Sequence, residues 1–437
     1  MVAPVRLVAD AVVPVDPPGA LWRDAAVDVG PDGRIAAVGP VADLPAAEGE
    51  VRRVGGLLLP GLVNAHCHTP MTLVRSAGDG LPLLRWLAEA VWPREGRMTP
   101  EDAWWGMVLG SVEMLRAGVT TSCEMYLFEE AVIDAVHRTG ARLVMTPGIL
   151  AALHADSFGV GSARLEAVTD LHRRCHDPAG RVTVGFGPHS AYDLQIGHVR
   201  EIAEEARALD AVLHIHLEET EAERRQVIDA TGRPATVLLA EHGVLDGRVL
   251  AAHGVWVDEA ERAILADCGV SVAHCPQSNL KLGSGIAPVA AYRAAGVRVA
   301  LGTDGPASND DLDLWEELKL APMLARGVTH DPVALGAVDA LAMATADGAD
   351  ALGLDAGRLR PGAWADVVRV DLDQPAFTPG RDEDLIAHLV WAGSSRYVTD
   401  VWVAGEQVVA GGTCLTVDEA EARHQVRQRG RRLAEGS

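Results

Sequence analysis

His66-Cys67-His68 closes an apolar stretch that begins at Leu57, and Asp304 closes another, Val299-Ala300-Leu301-Gly302-Thr303-Asp304. Side chains alternate along a strand, so histidines one residue apart turn their imidazoles to the same side. Cys67 then faces the other way, into packing. Two histidines on one strand and a carboxylate from another can hold a metal ion from several directions. An ion held so activates water, which is the chemistry of a hydrolase. His216 and His253 end two further apolar runs. Packing alone does not gather histidines at the ends of separate strands.

Lysine narrows the site to one ion. The chain contains only Lys281 and Lys319, and neither lies between His68 and His216. The carboxylated lysine that bridges two metals in many barrels therefore has no source, leaving only a carboxylate or cysteine as a bridge. His66, His68, His216 and Asp304 with one water suit a single Zn²⁺, and Fe²⁺ would accept the same donors. Glu218 and Glu219 follow His216, and either could move protons beside the ion. Simple alternation favours Glu218, while the plainer reading of both is an acidic helix start. His214 shares the face of His216 one layer deeper and reads as a core histidine.

The elements that must position these groups alternate between strand and helix patterns. Apolar runs fall at Leu62 to His66, Val119 to Met125, Ala141 to Met145, Val182 to Phe186, Ala211 to His216, Val249 to His253, Val270 to His274 and Val297 to Leu301. Eight β/α units of this kind predict an α/β fold of (β/α)8 TIM-barrel type, with its site at the carboxyl ends of the strands. Thr99-Pro100-Glu101-Asp102 predicts a capped helix start, and Gly118 its end. Both flanks carry short strands broken by Gly, Pro and Asp. They predict a small β-sandwich domain assembled from residues 1–58 and 358–437, with the barrel at 59–357 as the insert. A charged surface helix is expected over Val417 to Leu433.

Composition excludes several roles. A formal charge of −23 over 437 residues repels phosphate backbones and anionic lipid, so neither nucleic acid nor a membrane is an expected partner. No apolar run is long enough to span a bilayer, and the amino terminus lacks a signal-peptide pattern. The six cysteines are scattered and read as reduced thiols in a cytoplasmic protein. The expected partner is a small-molecule substrate, with a homo-oligomer left open.

The motifs resemble the amidohydrolase superfamily in its mononuclear deaminase branch, most of all the methylthioadenosine/S-adenosylhomocysteine deaminases. The resemblance rests on Pro60-Gly61-Leu62-Val63-Asn64-Ala65-His66-Cys67-His68, Gly185-Phe186-Gly187-Pro188-His189-Ser190 and His216-Leu217-Glu218-Glu219-Thr220. It continues through Ser278-Asn279-Leu280-Lys281-Leu282 and Gly302-Thr303-Asp304-Gly305, in the family's order. It implies that His66, His68, His216 and Asp304 bind the metal and that Glu219, not Glu218, is the general acid/base. It puts His253 beside the water to be activated, Glu95 on the ribose hydroxyls, His189 against substrate and Arg164 toward the 5′ substituent. The implied activity is hydrolytic deamination of an adenine nucleoside derivative: adenosine, 5′-deoxyadenosine, methylthioadenosine or S-adenosylhomocysteine.

One departure bears on specificity. Thr146-Pro147-Gly148 stands where the adenosylhomocysteine enzymes can place a further arginine, and the loop from there to Arg164 is longer. Proline cannot pair with a carboxylate, so a neutral 5′ group is expected. An alternative keeps the site and changes the substrate to a free heterocycle such as guanine, oxidised guanine, a pterin, cytosine or an s-triazine. A third, non-catalytic barrel runs against the complete donor set. Ser278 and Asn279 could hold substrate or shape their loop, and Lys281 reads as packing.

Overall fold

The computed structural model describes residues 2–151 and 162–435. All eight expected barrel strands form: Leu62–Cys67, Val119–Glu124, Arg142–Met145, Val182–Val184, Leu213–Leu217, Val249–His253, Ser271–His274 and Arg298–Leu301. They pair in parallel as two four-stranded sheets, the first four strands in one and the last four in the other. Two seams join the sheets. At one, Phe186 N–H donates to Val212 O at 2.9 Å and His214 N–H to Phe186 O at 2.8 Å. At the other, Asp304 N–H donates to His66 O at 3.0 Å. The second seam lies inside the donor cluster. Gly302 is needed there, because a Cβ at this position would come within 2.9 Å of the His66 backbone.

Strands from both chain ends share one sheet. Val5–Val12, Trp22–Val29, Ile35–Pro40, Glu50–Arg53 and Leu57–Pro60 pair with Val367–Val370, Val398–Val403, Glu406–Ala410 and Thr413–Cys414. The strands of the expected small β-sandwich are hydrogen-bonded, among the described residues, as one nine-stranded sheet. Leu57–Pro60 sits in its middle, parallel to Val5–Val12 and antiparallel to Val367–Val370. After Gly61 the chain runs directly into Leu62–Cys67, so one continuous extended segment carries His66 out of the small sheet.

The helix Pro100–Arg116 is capped as its sequence requires. Thr99 Oγ1 accepts from Asp102 N–H, the Asp102 carboxylate accepts from Thr99 N–H, and Gly118 takes φ +80° just beyond the end. The terminal helix Glu419–Ala434 is not simply a surface element. It buries Ala422, Val426 and Leu433, and Arg429 reaches the buried Asp102 at 2.9 Å.

A second tie joins the small sheet to the barrel. Arg142, on the third barrel strand, makes a bidentate pair with Asp366 at 2.8 and 3.0 Å. Both side chains are almost wholly buried, and Asp366 also accepts from Ala404 N–H at 2.7 Å. Removing one partner strands the other charge away from water. Arg142→Met is expected to lower stability by roughly 3–5 kcal/mol in chemical denaturation. The pair Arg142→Met with Asp366→Leu is expected to recover part of that loss.

Candidate active site

Three histidines are locked by carbonyl acceptors that fix which ring nitrogen is bare. His68 Nδ1 donates to Met125 O at 2.5 Å, His216 Nδ1 to His189 O at 2.9 Å, and His253 Nδ1 to Asn279 Oδ1 at 2.9 Å. A carbonyl only accepts, so Nδ1 carries the proton and Nε2 keeps its lone pair. The fourth, His66, meets His214 Nε2 through its Nδ1 at 2.8 Å. His66 Nε2 is buried without a hydrogen-bond partner and lies 3.4 Å from Asp304 Oδ1; His68 Nε2 lies 3.3 Å from the same oxygen.

Donor atoms of His66, His68 and His216 fall within 4.8 Å of one another, as do those of His66, His253 and Asp304. The set fits a divalent ion: a buried bare nitrogen, convergent imidazoles, and a carboxylate among them. Burial opposes ionisation of Asp304, yet with His66, His68 and His253 around it the carboxyl is held well below the ordinary range. Burial lowers His66 to about 4 and His189 to about 3, so both are neutral imidazoles at physiological pH.

Asp304 is held on every side. Its Oδ1 accepts from Gly305 N–H at 2.7 Å, and its Oδ2 accepts from Ser278 at 2.6 Å and Ser308 at 2.9 Å. Ser278 therefore orients Asp304 and Asn279 orients His253, two tasks that the sequence left unresolved. Lys281 pairs with Asp310 at 2.5 Å, in keeping with a packing role. Cys67 is buried against Thr69, away from the donors.

Glu219 lines the cavity and Glu218 does not. The reason is a backbone reversal of alternation: Glu218 takes φ +49°, in the left-handed region. Its carboxylate turns away to Arg224 at 2.7 Å, so the next residue reaches the cavity. Glu219 Oε2 lies 3.7 Å from His253 Nε2, and Ser284 donates to Oε1 at 3.3 Å. Burial, with the Asp304 charge, pushes the Glu219 carboxyl up to about 8. His253 and Asp304 are also left-handed, at φ +73° and +61°. The strand ends that carry function are where regular geometry stops.

A cavity opens beside these donors. His68, His216, Glu219, His253 and Asp304 form one part of its wall, with Glu95 and His189 also lining it. Tyr126 donates to Glu95 Oε1 at 2.7 Å, and burial raises the Glu95 carboxyl. Met71, Leu83, Trp86, Leu87, Trp92 and Leu150 supply an apolar wall. Trp86 begins a π-helical turn, Trp86–Val91, immediately before the short helix Trp92–Glu95 that delivers Glu95. Arg164 is placed one layer out. It bonds Glu129 at 2.9 Å and the carbonyl of Gly148 at 3.1 Å, and Gly148 lines the cavity. Most of the longer loop before Arg164 lies outside the described residues, whereas Pro147 is described and buried.

The fold and donor cluster are those of a metal-dependent hydrolase on an α/β barrel scaffold. The chain belongs to the amidohydrolase family, whose model matches residues 57–408. It is 39% identical over 430 residues to a 5-methylthioadenosine/S-adenosylhomocysteine deaminase of Pelotomaculum thermopropionicum, covering 97% of each chain. It is 39% identical over 389 residues to a 5′-deoxyadenosine deaminase of Methanothermobacter thermautotrophicus, covering 89% of this chain and 90% of the other. An adenosine deaminase from Xanthomonas campestris, solved with bound zinc, superposes with a TM-score of 0.93 at 35% identity, over 99% of this chain and 98% of that one. The chain is a hydrolytic deaminase.

If the Glu219 carboxyl is the proton carrier, Glu219→Gln is expected to bind zinc stoichiometrically while losing turnover by at least 10²-fold. Metal content and ammonia release from one preparation check this.

Proposed function

We propose that this protein deaminates the adenine ring of a nucleoside with a neutral, largely apolar 5′ substituent. The observation that carries the reading is the lining of the cavity. Glu219 stands with the donor cluster, Glu95 lines the same space, and no Lys or Arg is among the described residues of its wall. The first group suits a ring carbon with an amine leaving group, and a buried carboxylate suits a sugar diol. The relatives named for methylthioadenosine, adenosylhomocysteine and 5′-deoxyadenosine support the substrate class.

His66, His68, His216 and Asp304 would hold a single Zn²⁺, with Fe²⁺ fitting the same donors. When bound, such an ion supplies Lewis acidity that brings water ionisation toward neutral pH. Asp304 and His253 orient the attacking water, and Asp304 takes its proton. Glu219, protonated at neutral pH by virtue of its raised pKa, gives a proton to N1 as oxygen bonds to C6. The ring carbon becomes tetrahedral. Glu219 then takes the proton of the C6 hydroxyl and passes it to the amine, the C6–N bond breaks as C6=O forms, ammonia and the inosine-type product leave, and the proton held by Asp304 returns to Glu219. His189 packs beside the ring site, and Glu95 accepts from the ribose hydroxyls. Arg164 acts on the cavity through Gly148 rather than by direct charge pairing. We also propose the division expected at 58 and 357, with the first boundary moved to Pro60 because Leu57–Pro60 pairs within the small sheet, and a reducing compartment, which its six free cysteines suit.

A panel of adenosine, 5′-deoxyadenosine, methylthioadenosine, adenosylhomocysteine, guanine and an amino-triazine tests the substrate class by ammonia release. Turnover is expected on the first three, with adenosylhomocysteine poor. Turnover confined to guanine or the triazine would overturn the nucleoside reading. Glu95→Ala is expected to raise KM for methylthioadenosine at least tenfold, and an unchanged KM would remove Glu95 from the ribose.

A further inference from the structure

His66 differs from His68, His216 and His253 in what holds it. Its Nδ1 faces another imidazole, His214 Nε2, instead of a carbonyl oxygen. An imidazole can donate or accept at that atom, so this contact alone does not fix the His66 tautomer.

The next contacts do fix it. Thr146 Oγ1 lies 2.9 Å from Glu124 O, which only accepts, so the single hydroxyl proton points there. The same Oγ1 lies 2.9 Å from His214 Nδ1. With its proton committed, the hydroxyl can only accept from the imidazole, so Nδ1 carries the hydrogen, with Cys123 Sγ a longer neighbour of the same nitrogen at 3.5 Å. His214 is fully buried with no carboxylate bonded to it, which favours the neutral ring. Its Nε2 is then bare and accepts from His66 Nδ1–H. His66 Nε2 is left bare in turn, facing Asp304 Oδ1 at 3.4 Å.

We propose that Glu124 O, Thr146 and His214 form a directional relay that sets the tautomer of His66 and thereby the metal affinity of the site. Thr146 and His214 are positioning residues here, because neither lines the cavity among the described residues. The inference rests on the ligand set proposed above. Its core is that Thr146 matters only through His214.

The experiment measures Zn²⁺ dissociation constants by chelator competition on the full-length metal-free protein, with melting temperature as a check on folding. Wild-type binding at one ion per chain tests the ligand set itself. Thr146→Val is expected to weaken zinc about 10- to 100-fold, the usual effect of losing a group that orients a ligand. Thr146→Ser keeps the relay and is expected to bind as wild type. His214→Gln puts an amide oxygen near the former Nε2, so it accepts from His66 without help from Thr146. Thr146→Val should therefore have no further effect in the His214→Gln background. Equal losses in both backgrounds would overturn the relay while leaving the ligand set standing. Nitrogen-15 histidine spectra of the metal-free wild type give a test that needs no variant. They are expected to show Nδ1-protonated His66, and an Nε2-protonated ring would overturn the proposal.

Discussion

The tautomer of each donor histidine is the constraint from which the rest follows. A neutral imidazole offers a lone pair at one nitrogen only, and a metal site needs that nitrogen to face inward. Met125 O, His189 O and Asn279 Oδ1 make this choice for His68, His216 and His253. These acceptors belong to neighbouring strands or their connections. The barrel ends must therefore be in register to within hydrogen-bond tolerance before the donors can converge. A slip at any of these contacts would rotate a ring as well as move it.

The same requirement explains the departures from regular backbone. Asp304 is reached by an N–H donated across the seam to His66 O, and its carboxylate is then held by Gly305, Ser278 and Ser308. Placing an aspartate there takes a left-handed residue and a glycine at 302 pressed onto the His66 backbone. A carboxylate desolvated this far would otherwise take up a proton; hydrogen bonds and neighbouring imidazoles keep it ionised. Glu219, a few ångströms from His253 and lacking a cationic partner of its own, is driven the opposite way. One cavity wall thus carries a carboxyl pushed toward its ionised form and another pushed toward its protonated form, the division of labour that acid–base chemistry at neutral pH requires.

Much of this was legible in the sequence because it depends on period and position. The eight apolar runs became the eight strands, and the Thr99 cap formed as its residue types demand. His66 and His68 share a face because a strand has period two. What escaped reading depends on contacts between distant segments. Alternation pointed to Glu218 and the family resemblance to Glu219, and the left-handed φ of Glu218 is the physical reason that Glu219 has the cavity side. His214 has the same residue type, burial and strand as a packing histidine, and its role emerges only from Thr146 and His66, which lie far from it in sequence. The flanks carried strand signals, but the number of sheets they build is a question of pairing partners, and the pairing runs through Leu57–Pro60 as one sheet.

That strand makes the small sheet more than an appendage. Leu57–Pro60 is fixed from both sides, by Val5–Val12 and Val367–Val370, one residue before the chain enters Leu62–Cys67. Gly61 N–H donates to Asp366 O at 2.9 Å, and the Asp366 carboxylate is the partner of Arg142. The strand bearing His66 and the strand before Thr146 are therefore both anchored to Asp366. Thr146 and His66 are the two ends of the contact through His214. A rigid base shared by both strands holds that contact at hydrogen-bond length. Joining the two chain ends into a single sheet is how the fold supplies such a base to a site at the far mouth of the barrel.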